Sequence, residues 1–522
     1  MPRGVRYRRR MSADPARLEG PPGSAAVAAG SAEVVAAATR VLQAGGNAVD
    51  AALAGAFAAP LSEPVLASLG GGGFLMWTDE DRNPHVLDFF VDVPGLTAPG
   101  RPAPERTPQV DTVVVDFART GSAASSSTQV FHGGWGTVAV PGCLDGYLVA
   151  HARAGRLPLR DVVGPAVALA TEGVDLSAGQ RTFMHLVNDL LALTTDSQRL
   201  FANAERTGRY RNLAYAMLLR ALASGTVRSM ADHAFADPLL GATRYEGGLL
   251  TAADLDAYRP EQRTPLQCSR AGATVWTNPP PSVGGSIVAH ALTSLAPQAA
   301  ESVHWAEVAA ALADATAGRR GKGQVPTGTT HVSVVDREGR FAAITTSNGS
   351  GSGCVVPGWG VPLNNMLGEE DLRPADGSPL SPGERMRSMM APTVVALTDG
   401  SHAVLGTGGS ERIRSALLGV LVRLIDDGAS LTEAIAAPRV HVSSDGTLHH
   451  ESGLSPTDEA ALQALANERG WGDVSRWPGT NLFFGGVHAV RRTTDGAVEA
   501  VGDARRSGSV GVVHRDGSIV VA

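Results

Sequence analysis

Residues 328 to 336 read Gly-Thr-Thr-His-Val-Ser-Val-Val-Asp. Polar and apolar residues alternate in the second half of this segment, which is typical of a β-strand. Arg337-Glu338-Gly339 then forms a turn signal, and Phe341 to Ser347 is a second strand-like run, so the whole segment predicts a β-hairpin. Thr329 is therefore expected at the start of a strand.

The residues just before this hairpin are of a different kind. Residues 317 to 328 are small, basic and rich in glycine, which is typical of a flexible, exposed linker. A threonine between such a linker and a buried strand is a candidate N-terminal nucleophile if the Gly328–Thr329 bond is cut, because its own α-amine is then the base. An α-amine titrates at about pH 8, and Gly328 has no side chain to obstruct attack on its carbonyl.

A glycine-rich turn further along the chain is a candidate partner for this nucleophile. Residues 406 to 410 read Gly-Thr-Gly-Gly-Ser and precede a predicted helix over residues 413–427. Backbone N–H groups at a helix N-terminus suit an oxyanion. Each pattern alone also has a purely structural interpretation: a threonine that begins a strand, and an ordinary strand–helix turn.

The N-terminal part predicts helices and close backbone packing. Ser31 is a candidate N-cap of a first helix, and Asn47 of a second helix over residues 48–59. Gly70 to Gly73 are not followed by the Lys-Ser/Thr of a phosphate-binding loop, so we interpret them as backbone packed tightly against backbone or against the active site. Residues 110–129 are rich in Ser, Thr and Ala and are expected to form a loop.

Composition excludes several classes of function. The chain has 522 residues and a formal net charge of −7, which provides no basic stripe for nucleic acid. The basic run from Arg3 to Arg10 is interpreted as a disordered leader, or as residues upstream of a start at Met11, rather than as a targeting or nucleic-acid arm. No secretory signal and no membrane-spanning segment is visible, so a cytoplasmic location is expected.

The sequence gives no indication of a metal or another cofactor. The three cysteines are widely spaced and match neither a metal motif nor a disulfide framework: Cys143, Cys268 and Cys354. His449 and His450 lack a third ligand at a useful spacing. We therefore expect neither a metal nor a cofactor.

Several motifs in the same order make the chain resemble the γ-glutamyltranspeptidase family from about residue 22 to its end. The segments that carry the resemblance are residues 45–52, 63–64 and 70–74, residues 329–336, residues 353–358 and 363–366, and residues 408–413, with support from residues 437–441 and 484–490.

This resemblance implies an α+β fold, the four-layer αββα fold of N-terminal-nucleophile hydrolases. It implies a precursor that cleaves itself into residues 22–328 and 329–522, which stay associated as one intertwined domain after a leader over residues 1–21. The implied substrate is a small-molecule amide or peptide of the glutathione type. Water or an amino-acid or peptide acceptor takes the acyl group, and neither nucleic acid nor membrane is expected as a partner.

The resemblance also assigns catalytic roles. Thr329 corresponds to the nucleophile and, with Gly328, to the cleavage site. Gly408 and Gly409 correspond to the oxyanion-binding pair, with Ser410 included if the register shifts by one. Either Thr346 or Ser347 corresponds to the hydroxyl that supports the amine of the nucleophile.

The substrate residues follow the family less closely. Phe90 stands where the family has the arginine that binds the substrate carboxylate, and only Ser388 remains of two adjacent serines, since Met389 follows. Asn348 matches on the amine side, and Glu369 is a candidate replacement for the family's aspartate. Met366 stands where a polar residue is expected.

Three functions remain open from the sequence. The first is hydrolysis or transfer of γ-glutamyl groups through Thr329. The second is an acylase of the same family without γ-glutamyl specificity, because a carboxylate without its bidentate arginine is poorly bound. The third is an uncleaved homologue without catalytic activity.

Overall fold

The computed structural model describes residues 6–7, 14–97, 107–116, 128–296, 304–317, 328–374, 377–444, 446–472 and 474–522. Its β-strands are, in chain order, β1 Arg6–Tyr7, β2 Ala16–Gly20, β3 Ala25–Ala29, β4 Gly72–Thr78, β5 Pro84–Phe89, β6 Asp111–Asp116, β7 Thr128–Gly133, β8 Val174–Asp175, β9 Arg209–Tyr210, β10 Glu261–Arg263, β11 Leu266–Arg270, β12 Ala273–Thr277, β13 Gly328–Val335, β14 Phe341–Gly349, β15 Val355–Val356, β16 Val361–Pro362, β17 Thr393–Ala396, β18 His402–Gly408, β19 Val440–Val442, β20 Leu448–Glu451, β21 Ser475–Trp477, β22 Gly486–Arg492, β23 Val498–Gly502, β24 Ser509–Val513 and β25 Ile519–Val521.

The α-helices of the described residues are α1 Ala32–Gln43, α2 Ala48–Ser62, α3 Cys143–Ala154, α4 Leu159–Glu172, α5 Ala178–Leu186, α6 Asn188–Leu191, α7 Thr195–Thr207, α8 Leu213–Ser224, α9 His233–Tyr245, α10 Ala252–Ala257, α11 Val283–Ser294, α12 Trp305–Thr316, α13 Arg412–Ile425, α14 Leu431–Ala436 and α15 Pro456–Arg469. None of them is long and apolar enough to cross a membrane.

Two large sheets form the centre of the molecule. The nine-stranded sheet has the order β1-β25-β24-β3-β13-β14-β4-β5-β10, and the seven-stranded sheet has the order β11-β12-β17-β18-β22-β23-β2. The strand that begins at Gly328 lies between β3 and β14 near the middle of the larger sheet. The strand that ends at Gly408 lies between β17 and β22 in the smaller one.

The alternation of side chains along the strands separates the layers. Ala26 and Ala28 of β3 pack with residues of the other sheet such as Val404 and Val490, whereas Val27 packs on the opposite side. That outer side carries α1 to α4, and the outer side of the seven-stranded sheet carries α11 to α13. The order of layers is helix, sheet, sheet, helix, which confirms the predicted αββα class.

Residues before and after the Gly328–Thr329 bond contribute strands to both sheets. In the larger sheet β1, β3, β4, β5 and β10 precede the bond, β13 contains it at its first residue, and β14, β24 and β25 follow it. In the smaller sheet β2, β11 and β12 precede it, while the other four strands follow. The two parts of the chain therefore share one core.

Most local predictions near the site are confirmed. The hairpin is β13 and β14, and the predicted helix is α13. The Ser31 hydroxyl accepts a hydrogen bond from the N–H of Val34 at 3.3 Å and caps α1. Asn47 caps α2 in a reciprocal capping box with Asp50.

Two predictions of irregular structure are wrong, and a third lies outside the described residues. The leader over residues 1–21 contains β2, which is an edge strand paired with β23, because its backbone finds partners almost five hundred residues away. The loop predicted over residues 110–129 contains β6 and β7, which pair as a hairpin. The predicted linker falls mainly on residues 318–327, which are outside the described residues.

The glycine run at residues 70–73 is packed against the backbone of β14. A Cβ added at Gly71 would lie 2.1 Å from the carbonyl oxygen of Ser347, and one at Gly73 would lie 2.4 Å from that of Thr345. Side chains at these positions would displace the strand that faces Thr329. The run is therefore a close backbone contact beside the candidate site, as predicted.

Candidate active site

Thr329 and Ser347 are cross-strand partners at the open end of the central hairpin. The Thr329 hydroxyl donates to the Ser347 Oγ at 3.3 Å, and the Ser347 hydroxyl donates to the carbonyl oxygen of Gly328 at 2.5 Å. The N–H of Gly349 also donates to Ser347 Oγ, at 3.0 Å. Ser347 thus links the candidate nucleophile to the carbonyl group that self-cleavage would attack.

Thr346 points away from this arrangement. Neighbouring residues of a strand face opposite sides of the sheet, and the Thr346 side chain lies close enough to the Tyr147 hydroxyl in the helix layer to lower its pKa against the effect of burial. Of the two hydroxyl residues left open by the sequence, the structure places Ser347 next to Thr329. Thr346 belongs to the packing between β14 and α3.

The turn after β18 lies against the backbone of Thr329. A Cβ added at Gly408 would lie 2.1 Å from the Thr329 carbonyl oxygen, so only glycine fits there. Gly409 has φ +135° and Ser410 has φ +52°, and α13 begins two residues later at Arg412. The structure thus brings Gly408, Gly409 and Ser410 together with Thr329 at a helix N-terminus, where N–H groups are free of helical partners.

A cleft of about 310 Å³ opens in front of Thr329. Its walls are mainly apolar, with hydroxyl groups and two carboxyl groups: Phe90, Thr329, Ser347, Gly349, Met366, Glu369, Asp371, Leu372, Ser388, Met389, Met390, Ser410 and Ile413. Within the described part of the chain, the lining includes no arginine, lysine or histidine. The cations nearest to it within the described residues lie behind the lining: Arg506 packs against Gly408, and the charge of Arg412 opposes the raised pKa of Asp371.

The two acidic residues of the cleft interact with each other. Burial and the negative charge of Asp371 raise the pKa of Glu369 to about 8, although hydrogen bonds from Asn365 and Ser350 oppose the shift. Burial also raises the pKa of Asp371, although the hydrogen bond from Ser410 opposes it. The pair consequently holds a proton at neutral pH and carries less than two negative charges.

Phe90 forms an apolar wall of the cleft. Its ring is buried and stacks on Phe74, with ring centroids 5.7 Å apart and an interplanar angle of 18°. Arg385, a cation close to Phe90 in the fold, is bound to Asp88 at 2.8 Å and to Asp92 at 2.5 Å. Its charge is neutralised outside the cleft and does not replace an arginine at position 90.

The predicted substrate residues are placed unequally. Ser388 and Glu369 line the cleft, together with Met366 and Met389. Asn348 does not: its side-chain amide donates to the carbonyl of Leu363 at 3.3 Å, and Gly349 takes its place in the lining. The alternation of the strand directs the Asn348 side chain to the other face of the sheet, so its assignment to substrate binding stays a prediction that this geometry does not support.

Sequence reasoning missed five lining residues, namely Gly349, Leu372, Met390, Ile413 and, most importantly, Asp371. Asp371 follows Glu369 by two residues in a polar loop without periodicity. The only available signal was the cluster of acidic residues at 369–371.

A buried carboxyl group lies beneath the nucleophile strand. Thr330, the neighbour of Thr329, donates its hydroxyl to Glu63 Oε2 at 2.7 Å. Burial raises the pKa of Glu63 to about 7, although the Thr330 hydrogen bond and the charge of Arg506 oppose the shift. Glu63 follows the last residue of α2, so it ties that helix to the start of β13.

His331 is a packing residue of the same strand. Its ring nitrogens hydrogen-bond with Thr345 at 2.7 Å and Ser333 at 2.8 Å. Burial lowers its pKa, so the ring is neutral at pH 7. Both nitrogens are occupied by side chains, which leaves neither for the nucleophile.

Comparisons with known proteins agree with this geometry. The family model described as gamma-glutamyltranspeptidase matches residues 35–316 and 296–513. The Acylase ACY 1 proenzyme of Pseudomonas sp. (strain SE83) is 31% identical over 542 residues, which cover 90% of this chain and 90% of that protein. The glutathione hydrolase proenzyme of Pseudomonas aeruginosa is 27% identical over 573 residues, which cover 96% of each.

A solved structure supports the same fold. The crystal structure of cephalosporin acylase from Bacillus halodurans matches with a TM-score of 0.76 and 22% identity, over 98% of both chains. At this level of identity the likeness concerns the fold alone.

Proposed function

The chain belongs to the γ-glutamyltranspeptidase family, and on that premise we propose that it is an amide hydrolase that cuts itself before Thr329 and uses this threonine as its nucleophile. The observation that supports this proposal is the contact of Thr329 with Ser347, which in turn donates to the Gly328 carbonyl. The acyl group we propose is one without a free α-carboxylate, which makes the enzyme an acylase.

Self-cleavage begins with attack of the Thr329 hydroxyl oxygen on the Gly328 carbonyl carbon. The hydroxyl proton is transferred to the departing peptide nitrogen as the C–N bond breaks, which leaves an ester and a free α-amine. Water then hydrolyses the ester, so that Gly328 ends in a carboxylate and Thr329 regains its hydroxyl. Ser347 orients the attacking hydroxyl and polarises the carbonyl through its two hydrogen bonds.

Catalysis then uses the same atoms on an external amide. The α-amine of Thr329 takes the hydroxyl proton, the oxygen attacks the substrate carbonyl, and the amine product leaves with that proton. The N–H groups of Gly408 and Gly409, with Ser410 as the alternative partner, are assigned to the oxyanion. Water, or an acceptor amine, releases the acyl group from Thr329.

The two fragments are expected to stay together after the cut. β13 remains hydrogen-bonded to β3 of the larger fragment and to β14 of its own. Since each sheet contains strands of both fragments, separating them would expose the cores of both layers.

The acyl specificity is inferred from the wall opposite Thr329. A substrate α-carboxylate would face Phe90 and two carboxyl groups, and no cation of the lining would compensate it. Leaving such a charge without a partner costs several kcal/mol. An aliphatic or amine-bearing acyl group has no such cost, because the methionines and Phe90 accommodate its chain and Glu369 can accept a hydrogen bond from its amine.

The γ-glutamyl group is the second candidate. Ser388 and Glu369, the residues that the family resemblance assigned to substrate binding, both line the cleft. A serine hydroxyl can donate to a carboxylate and a glutamate can accept from an ammonium group. This candidate requires Ser388 to bind the carboxylate without an arginine.

Four anilides that differ only at the end of the acyl chain separate the candidates. They carry γ-glutamyl, glutaryl without the amine, 4-aminobutyryl without the carboxylate, and butyryl without either group. We expect higher kcat/KM for the 4-aminobutyryl and butyryl anilides than for the γ-glutamyl anilide. A preference for γ-glutamyl anilide would favour the second candidate and overturn the acylase assignment.

Self-cleavage is tested on the same preparation. Intact mass and N-terminal sequencing should show two fragments, the smaller beginning at Thr329, and only one chain for Thr329→Ala. An uncut, inactive wild-type chain would instead support the non-catalytic homologue.

A further inference from the structure

The turn between β18 and α13 contains a serine in a conformation that serines rarely adopt. Within the described residues, four residues other than glycine have a left-handed backbone: Arg82, Ala271, Ser410 and Ser507. Ser410, with φ +52°, lines the cleft and follows Gly409, with φ +135°. A non-glycine residue keeps such a conformation only when its surroundings hold it.

One contact holds the turn from the cleft side. The Ser410 hydroxyl donates to Asp371 Oδ2 at 2.7 Å. Asp371 lies in the single 3₁₀ turn Glu370–Leu372, in the segment that forms one wall of the cleft. The bond therefore joins the turn to a cleft wall that is distant in sequence.

A second set of contacts holds the turn from the opposite side. Glu411, the next residue, makes no side-chain cap to its own helix and instead contacts His441 at 3.4 Å and Arg414 at 3.3 Å. His441 also hydrogen-bonds with Ser415, one helical turn further on, at 2.6 Å. The start of α13 is thereby fixed to β19, so Ser410 is held by its own bond to Asp371 and by the anchored Glu411 that follows it.

We propose that Asp371 is a positioning residue that holds Ser410 in its left-handed conformation and so aims the N–H groups of the 408–410 turn at the carbonyl group bound by Thr329. This inference rests on the proposed function of Thr329. It gives Asp371 a role that acts through Ser410 rather than through the substrate. A glycine at position 410 would adopt the left-handed conformation without strain, whereas the serine needs the hydrogen bond to Asp371 to stabilise it.

The chain supplies a matched control for the serine. Ser507 has the same φ of +52°, but it is exposed and its hydroxyl makes no hydrogen bond within the part of the chain that the structure describes. Removing that hydroxyl leaves the rest of its turn unchanged. Ser507→Ala therefore measures the effect of losing a hydroxyl from a left-handed serine away from the cleft.

The test is a double-mutant cycle on kcat and KM with the best of the four anilides. Ser410→Ala and Asp371→Ala should each lower kcat about tenfold, because misdirected oxyanion donors weaken transition-state binding more than substrate binding. The double variant should be no worse than either single one, because both remove the same bond. Asp371→Asn, whose amide oxygen still accepts, should recover most of the activity, and Ser507→Ala should match wild type.

The alternatives give different results. If Asp371 acts directly on the substrate, the two losses multiply in the double variant and Asp371→Asn raises KM, which overturns the proposal. Wild-type kcat in Ser410→Ala also overturns it. If Ser410→Ala fails to fold, Asp371→Ala and Asp371→Asn beside the intact serine decide: a lower kcat at unchanged KM in the first and recovery in the second support the proposal, and equal losses in both overturn it.

Failure of the proposed function can be distinguished from failure of the role inferred for Asp371. Mass analysis of the wild type decides whether Thr329 is released, before any variant is compared. A wild type that is cut and active, combined with additive losses in the cycle, removes the role of Asp371 and leaves the proposed function intact.

Discussion

The strand side of the cleft and the wall opposite are held in place in different ways. Thr329 and Ser347 belong to two buried strands, so backbone hydrogen bonds fix their separation. Phe90, Glu369 and Met389 lie in irregular segments, and their positions depend on packing and local contacts. Substitutions on the wall can therefore change the acyl specificity without moving the nucleophile, whereas substitutions in the strands act on the chemistry itself.

The largest expected effect is on the strand side, at the nucleophile. Thr329→Ala should abolish both the cut and the amidase activity, because it removes the attacking oxygen. Thr329→Ser retains a hydroxyl and should still be cut, more slowly. Gel analysis after long incubation and an anilide assay check both variants. Cleavage of the alanine variant at the same bond would show that another protease makes the cut.

The second-largest expected effect is on the rate of self-cleavage, and it distinguishes Ser347 from its neighbour Thr346. Ser347→Ala should slow self-cleavage about 100-fold, the loss typical of removing one donor to a reacting carbonyl. Thr346→Val, which alters only the face toward Tyr147, should change the rate much less. The rate of appearance of the smaller fragment measures both. Equal slowing in the two variants would mean that strand packing, and not the Ser347 hydroxyl, controls the cut.

The buried carboxyl beneath the strand predicts a pH-dependent stability. Because the pKa of Glu63 is raised to about 7, the folded state holds its proton where the unfolded state has lost it. The stability that depends on this proton is complete below the unfolded pKa of about 4.3 and is lost as pH rises through about 7, which lowers the free energy of unfolding by about 4 kcal/mol in total. Glu63→Gln should remove this part of the decline in the free energy of unfolding with rising pH.

Urea unfolding of the wild type and Glu63→Gln at pH 5 and pH 8 measures the difference. Glu80→Gln, at an exposed turn, controls for loss of a surface carboxylate. If the wild type and Glu63→Gln decline equally between the two pH values, the Glu63 carboxyl is not protonated in the folded state.

The difference between the strand side of the cleft and its irregular wall also explains which features the sequence could predict. The β13–β14 hairpin, the caps at Ser31 and Asn47 and the glycine turn depend on local patterns, and all of them are present in the structure. The place of Thr329 at the start of the hairpin was predictable, whereas the sequence left Thr346 and Ser347 as alternatives that the cross-strand pairing separates.

The cleft wall was less accessible to sequence reasoning. Asp371 was missed because nothing local indicates which acidic residue of a loop faces the cleft. Asn348 is predicted to bind substrate but does not line the cleft, because a shift of one residue in a strand reverses the side that a side chain faces. Strand β2 was missed because its partner β23 lies at the other end of the chain.

The smallest expected effect is on the opposite wall, at Phe90. Phe90→Arg should raise the ratio of kcat/KM for γ-glutamyl over 4-aminobutyryl anilide about tenfold, because a guanidinium pairs with the α-carboxylate. The gain is limited because Glu369 and Asp371 line the same cleft and compete for that cation. Phe90→Leu keeps an apolar wall and should leave the ratio unchanged, and a thermal melt excludes misfolding. An unchanged ratio in a folded Phe90→Arg variant would place acyl specificity elsewhere, with Ser388 the next residue to substitute.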